Sequence, residues 1–149
     1  MADLASIERL VPGEHGLATI SLVLPNGTAH ASVVNAGVLD HPVTGDPVVG
    51  FVVRGNSYKL RRLRADSRVT VSFRVGWNWA AVVGEADIIG PEDQFDGFDP
   101  AGVPQLLRDV FIAAGGDHDD WDEYDRVMAA EARTALLVRP NRFLGNQVG

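Results

Sequence analysis

The sequence predicts a mainly β fold, an antiparallel barrel or sandwich with peripheral helices. Period-two alternation is clearest where Val69, Val71, Phe73 and Val75 interleave with Thr70, Ser72 and Arg74. Pro25-Asn26-Gly27 sits between two strand-like runs and reads as a hairpin, because Asn-Gly accepts the positive φ angles of a tight turn. Five strand-like segments fall within the first 90 residues, and two helical stripes follow them.

Taken in order, Leu4, Ile7 and Leu10 have helical spacing, and Pro12-Gly13 stops that helix. Leu17 to Leu24 forms the first strand, with Ala18, Ile20, Leu22 and Leu24 on one face, and Thr28 to Val34 returns beside it. Asn35 to Pro47, with Gly37, Asp40-His41-Pro42, Gly45 and Asp46-Pro47, is expected to be a loop or a second, looser turn. Val48 to Val53 is a continuous β-branched run, expected as a buried strand. Ser57 to Ala65 is a short basic helix with Leu60 and Leu63 inward. Val69 to Val75, a turn at Gly76-Trp77-Asn78, and Trp79 to Ile89 give two more strands. Pro104 opens a helix whose Leu106, Leu107, Val110, Phe111 and Ala114 make one stripe, and Gly115-Gly116 ends it. Asp120-Trp121-Asp122-Glu123 has the capping-box form and starts a second helix with Trp121, Tyr124, Met128 and Ala132 inward. Thr134 to Val138 is the sixth strand, expected to stop at Pro140. A chain of 149 residues without repeat or linker fits one domain.

Composition narrows the chemistry. Cysteine is absent, which removes disulfides, thiolate metal sites and cysteine nucleophiles. His15, His30, His41 and His118 share no ligand spacing, so no metal site is expected. The start Met1-Ala2-Asp3-Leu4 has no signal-peptide pattern, and no apolar run approaches a membrane span, so a cytoplasmic protein away from membranes is expected. The net charge of −7 disfavours nucleic acid, whose backbone calls for a broad basic face.

The charge is unevenly placed. Glu85 to Glu131 holds fourteen acids against Arg108 and Arg126. Arg54 to Arg74 holds seven basic residues, including the only lysine, Lys59, against one acid, Asp66. Such an island is either a solvated helix face or a site for one small anion. Ser57, Lys59 and Arg54 stand at a strand-to-helix junction, where free backbone N–H groups and the helix dipole favour an anion.

The order of these parts resembles the split β-barrel family of flavin- and deazaflavin-binding oxidoreductases, the pyridoxamine-5'-phosphate-oxidase-like superfamily. It is most similar to the actinobacterial branch that uses coenzyme F420. The residues carrying the resemblance are Leu17-Ala18-Thr19 with Pro25-Asn26-Gly27, Ser57-Tyr58-Lys59 with Leu63, Asp66 and Arg68-Val69, and Gly76-Trp77-Asn78-Trp79. His118 to Tyr124 is the most branch-specific stretch, with Met128 and Arg133 as further carriers beyond it. Arg62 stands where Asn is usual, and Ser67 where Pro is usual. The second strand, Ala29 to Val34, lacks the Arg-x-x-Leu-Leu-Lys pattern of true pyridoxamine-phosphate oxidases, so that reaction is not expected.

The resemblance implies a six-stranded antiparallel FMN-binding split barrel of Greek-key type. It implies a homodimer whose cofactor site is completed across the subunit interface, and hydride transfer from reduced coenzyme F420 to a small unsaturated or reducible substrate. It places the cofactor phosphate at Lys59, Ser57 and Arg54 and the ring beside Ser32, Val33 and Val34. Arg61, Arg62 and Arg64 are then partners for an oligoglutamate tail, and Trp77 and Trp79 cap the pocket. FMN in the same fold is the alternative cofactor. A non-catalytic carrier of the deazaflavin, or of haem or another tetrapyrrole, is the alternative function, and no residue stands out as a proton donor.

Overall fold

The computed structural model describes residues 2–146. A helix, α1 (Leu4–Leu10), is capped by Asp3, whose carboxylate accepts from the Ser6 N–H at 2.9 Å. A 3-10 turn (Val11–Glu14) with Pro12 ends it, and His15 and Gly16 at φ 57° and 75° swing the chain into the first strand. The strands are β1 (Leu17–Val23), β2 (Ala29–Asp40), β3 (Pro47–Val53), β4 (Arg68–Val75), β5 (Asn78–Ile89) and β6 (Thr134–Gly145). Helix α2 (Tyr58–Ala65) joins β3 to β4, while α3 (Val103–Ala113) and α4 (Trp121–Ala130) lie between β5 and β6.

All strand pairs are antiparallel and close a barrel in the order β1-β2-β3-β6-β5-β4. Because β4 returns beside β1, the first four strands form a Greek key. The barrel interior is filled by Ile20, Leu22, Phe51, Val71, Phe73, Val82 and Leu136. Leu60 and Leu63 of α2 close one side of this core, and Ile7 and Leu10 of α1 another. A second core lies outside the barrel wall, where Val48, Ala135 and Leu137 meet Leu106, Leu107 and Val110 of α3 and Tyr124 of α4. Strand β3 and the first part of β6 (134–138) are therefore buried on both faces, which is why Val48–Val53 reads as an unbroken apolar run.

Two strand ends differ from the sequence expectation. The stretch expected as a loop from Asn35 instead continues β2 to Asp40, and only residues 41–46 turn. Gly37, which resembles a turn signal, is an in-strand glycine: a Cβ there would run into the backbone of Ala113 and Ala114 at the end of α3. Strand β6 likewise passes through Pro140 to Gly145. Pro140 is accommodated because the β5–β6 register shifts between Val83 and Gly84, giving the irregularity where a strand tolerates a missing N–H. At the other helical site, Ala132 leaves the expected α4 stripe and adopts a left-handed φ of 48° after the helix ends.

The turn between β2 and β3 is fixed by buried His41. Its Nδ1 accepts from the Val43 N–H at 3.1 Å, which leaves Nε2 to donate to Asp87 at 3.0 Å. The close seat of α3 on β2 is open to test. Gly37→Ala should cost about 1–3 kcal/mol in urea unfolding, because the added methyl pushes α3 off the sheet.

Candidate functional site

The β2–β3 pairing runs only from Ala36↔Phe51 to Asp40↔Pro47. Beyond it, Ala29–Asn35 of β2 retain β1 as a strand partner on one side, while Val52 and Val53 of β3 stay paired with β6. The two strands thus splay apart, and a cleft of about 420 Å³ opens at the split. That volume lies within the usual range for small-molecule sites.

One end of the cleft is cationic. Arg54, Ser57 and Lys59 come from the junction after β3, and Arg133 from the segment after α4. Ser57 is the N-cap of α2 and accepts from the Leu60 N–H at 3.2 Å, which orients the start of the helix toward this end. Arg54 Nη2 lies 3.1 Å from Glu131 Oε2, and Arg133 Nε donates to Glu131 Oε1 at 2.9 Å. The hydrogen bond from Arg133, with the charges of both arginines, holds the Glu131 carboxyl below its ordinary value. Lys59 makes no ion pair among the described residues.

The walls are apolar. Val33 and Val34 at the edge of β2 line the cleft together with Val110, Phe111 and Ala114 of α3 and Tyr124 and Met128 of α4. Tyr124 is buried, and its hydroxyl donates to the Leu107 carbonyl at 3.1 Å; burial raises its phenol above the usual value of 10.0. Arg108 on α3 fixes the α4 wall through Asp125, with Nε 2.9 Å from Oδ1 and Nη2 2.6 Å from Oδ2, and stacks over Trp121 at 5.3 Å. His118 Nδ1 accepts from the Asp120 N–H at 3.0 Å and packs beside Trp121 and Tyr124, so it organises the start of α4.

Of the residues singled out in the sequence, Arg54, Ser57, Lys59, Val33 and Val34 lie together in the cleft. Ser32 lies two residues from Val34 on the same face of β2; its hydroxyl, like Nδ1 of nearby His30, is buried without a hydrogen-bond partner among the described residues. The other candidates lie outside the cleft. Arg61 Nη1 donates to the Asn56 carbonyl at 3.0 Å and stacks on Tyr58. Arg62 donates to the Val23 carbonyl and lies 3.6 Å from Asp66, so it ties α2 to the end of β1. Arg64 is held by Asp93 through Nε at 2.8 Å. Trp77 projects from the β4–β5 turn, 93% exposed. Asn146 holds that turn through the Trp77 carbonyl and the Trp79 backbone. Sequence reasoning passed over Asn35, Phe111, Tyr124, Met128 and Arg133 as site residues. For Tyr124, Met128 and Arg133 a signal exists: all three are among the residues carrying the family resemblance, although Tyr124 and Met128 also fit a simple buried stripe.

No protein-family profile matches the chain. Among solved structures, it is similar to a conserved hypothetical protein of Mycobacterium tuberculosis (Rv2991), with TM-score 0.69 and 19% identity over 97% of this chain and 84% of the other. A structure described as an F420 reductase aligns with TM-score 0.60 and 18% identity over 92% of this chain and 94% of the other. A pyridoxamine 5'-phosphate oxidase-related, FMN-binding protein of Nostoc punctiforme aligns with TM-score 0.65 and 12% identity, over 96% and 84% of the respective chains. The fold is that of the FMN-binding split barrels. No described helix is long and apolar enough to cross a membrane, and no described cluster of His, Asp and Glu is arranged to hold a metal ion.

The basic island also has a pH signature. Hydrogen bonds from Arg68 lower the Asp66 carboxyl from 3.8 to about 2. A depressed folded-state value means that the contribution of Asp66 is present above pH 3.8 and disappears as pH falls toward 2. The urea midpoint of the wild-type protein should therefore fall across that window more steeply than that of Asp66→Asn, and the difference should shrink in high salt because the pair is exposed.

Proposed function

We propose that the protein is an oxidoreductase that binds reduced coenzyme F420 in the cleft and passes hydride to a small unsaturated or otherwise reducible substrate. The observation that carries this reading is the cleft itself: a lysine with no ion pair among the described residues and a helix N-terminus at one end, two further arginines beside them, and apolar walls beyond. The likeness to a structure described as an F420 reductase and the sequence resemblance support the deazaflavin.

The residues suit a phosphate-bearing ring cofactor. Lys59, the Ser57 hydroxyl and the first N–H groups of α2 would hold the phosphate. Val33, Val34, Phe111, Ala114 and Met128 give the cleft an apolar lining for the ring. The Ser32 hydroxyl is buried and does not line the cleft, so Val33 and Val34 are the β2 residues that would meet the ring. When bound, the cofactor supplies the hydride; the protein holds it against the substrate and excludes water. The Tyr124 hydroxyl is committed to the Leu107 carbonyl, so the product proton comes from solvent in this scheme.

FMN is the second reading, and one observation favours it. Arg62 and Arg64, the expected partners of an oligoglutamate tail, are already bonded to the Val23 carbonyl and Asp93, leaving Arg61 to meet a tail. Titrating the protein with coenzyme F420 and with FMN while following cofactor fluorescence separates the two. Saturable binding of the deazaflavin, followed by its reoxidation on adding quinones or enones, is expected. Tight FMN binding without a response to coenzyme F420 would overturn the deazaflavin reading, and binding without reoxidation would favour a carrier. Lys59→Ala should weaken the bound cofactor by about 1.5–3 kcal/mol; an unchanged affinity removes Lys59 from the site.

We also propose that a second copy of the chain covers the outer face beside the cleft. The register aligns Val33, Thr19, Ser72, Ala81 and Leu144 in one row across β2, β1, β4, β5 and β6. Val33 is 61% exposed there and also borders the cleft, so a partner on this face would complete the cleft's open side. Light scattering should give twice the 16.0 kDa of one chain, and Val33→Asp should return it to the monomer mass.

A further inference from the structure

Glu131 ends α4, and its position is set by the backbone: the Gly55 N–H donates to the Glu131 carbonyl at 3.1 Å. Gly55 has no room for a side chain against Ala132, so the exit of α4 and the β3–α2 junction are packed directly together. The Glu131 carboxylate is thereby delivered between the two arginines of the cleft. One oxygen accepts from Arg133 at 2.9 Å, and the other lies 3.1 Å from Arg54. Arg54 and Glu131 border an adjoining open hollow of about 550 Å³; Arg54 lines both that hollow and the cleft, and Glu131 meets the cleft through Arg54 and Arg133. Lys59, by contrast, meets no carboxylate among the described residues.

We infer that Glu131 is a resident counter-anion of the phosphate site and sets the ligand charge that the site accepts. A first negative charge is taken by Lys59, the Ser57 hydroxyl and the start of α2, which are available without rearrangement. A second charge draws on Arg54 and Arg133, and to reach them it must displace the Glu131 carboxylate or share them with it. The residue therefore discriminates against multiply charged ligands, and its removal should benefit a phosphate monoester more than a diester. This inference rests on the reading of the cleft as the cofactor site.

The test compares wild type with Glu131→Gln and Glu131→Ala, using a phosphate-bearing cofactor and its phosphate-free form: FMN with riboflavin, and coenzyme F420 with its dephosphorylated chromophore. Each variant should bind FMN, a phosphate monoester, about fivefold tighter and coenzyme F420, a diester, with a smaller gain, the phosphate-free forms staying unchanged. Adding Arg54→Ala should cancel most of the gain, and Glu131→Asp should restore wild-type affinity. A purely structural role predicts an equal effect on both forms, and that result, or an unchanged or weaker affinity for the phosphate-bearing form, overturns the inference. Protection from heat by inorganic phosphate keeps the two claims apart. If wild type binds neither cofactor, the cofactor reading fails, while stronger phosphate protection in Glu131→Gln still sustains the counter-anion. Equal or absent phosphate protection in that case overturns it as well.

Discussion

Beyond the Ala36–Phe51 pair, β2 bends away from β3, and residues 29–35 keep a strand partner on one side only. The constraint behind this is the contact of α3 with Gly37, where the end of the helix lies directly on the strand backbone. It holds α3 against β2 next to the point where the strands part. The split opens the edge of β2 beside the β3–α2 junction, and α3 and α4, packed outside the barrel wall, line it, so a barrel otherwise filled by side chains acquires an accessible slot.

Electrostatics then divides the basic island into two parts. Arg62, Arg64 and Arg68 bond to the Val23 carbonyl, Asp93 and Asp66, and in doing so pin α2 to β1, to the segment after β5 and to its own exit. These are structural cations, partly buried or tied to neighbours, and they explain why a helix with so many like charges is tolerated. Lys59 is left facing the cleft, with Arg54 and Arg133 beside it sharing one carboxylate. The acidic α3–α4 layer contributes through specific pairs of this kind. Arg108 with Asp125 holds the α4 wall in place, and Glu131 tempers the cleft.

Much of this was legible in the sequence because the relevant signals are local. Alternation in Val69–Val75, the Asn26-Gly27 turn, and the Ser57 cap before a Leu60/Leu63 stripe each report directly on backbone geometry. What was missed depends on distant contacts. Gly37 looks like a turn residue until α3 is seen against it, and Pro140 looks like a strand stop until the register shift opposite it is known. The same holds for the site. Arg54, Ser57 and Lys59 are neighbours in sequence and could be grouped by inspection, whereas Tyr124, Met128 and Arg133 reach the cleft only through the docking of α4. The fate of Arg62 was equally unreadable, since its partner, the Val23 carbonyl, lies 39 residues away.

The central claim is that a cofactor lies in the split between β2 and the β3–α2 junction, with its phosphate at Lys59. Mapping amide shifts of the labelled protein during a titration with FMN or coenzyme F420 tests this most directly. The account predicts the largest changes at Val33, Val34 and residues 55–60, with smaller ones at Phe111 and Met128. Changes confined to the Trp77 turn or to Thr19 and Ser72 on the outer sheet, with the junction silent, would contradict it.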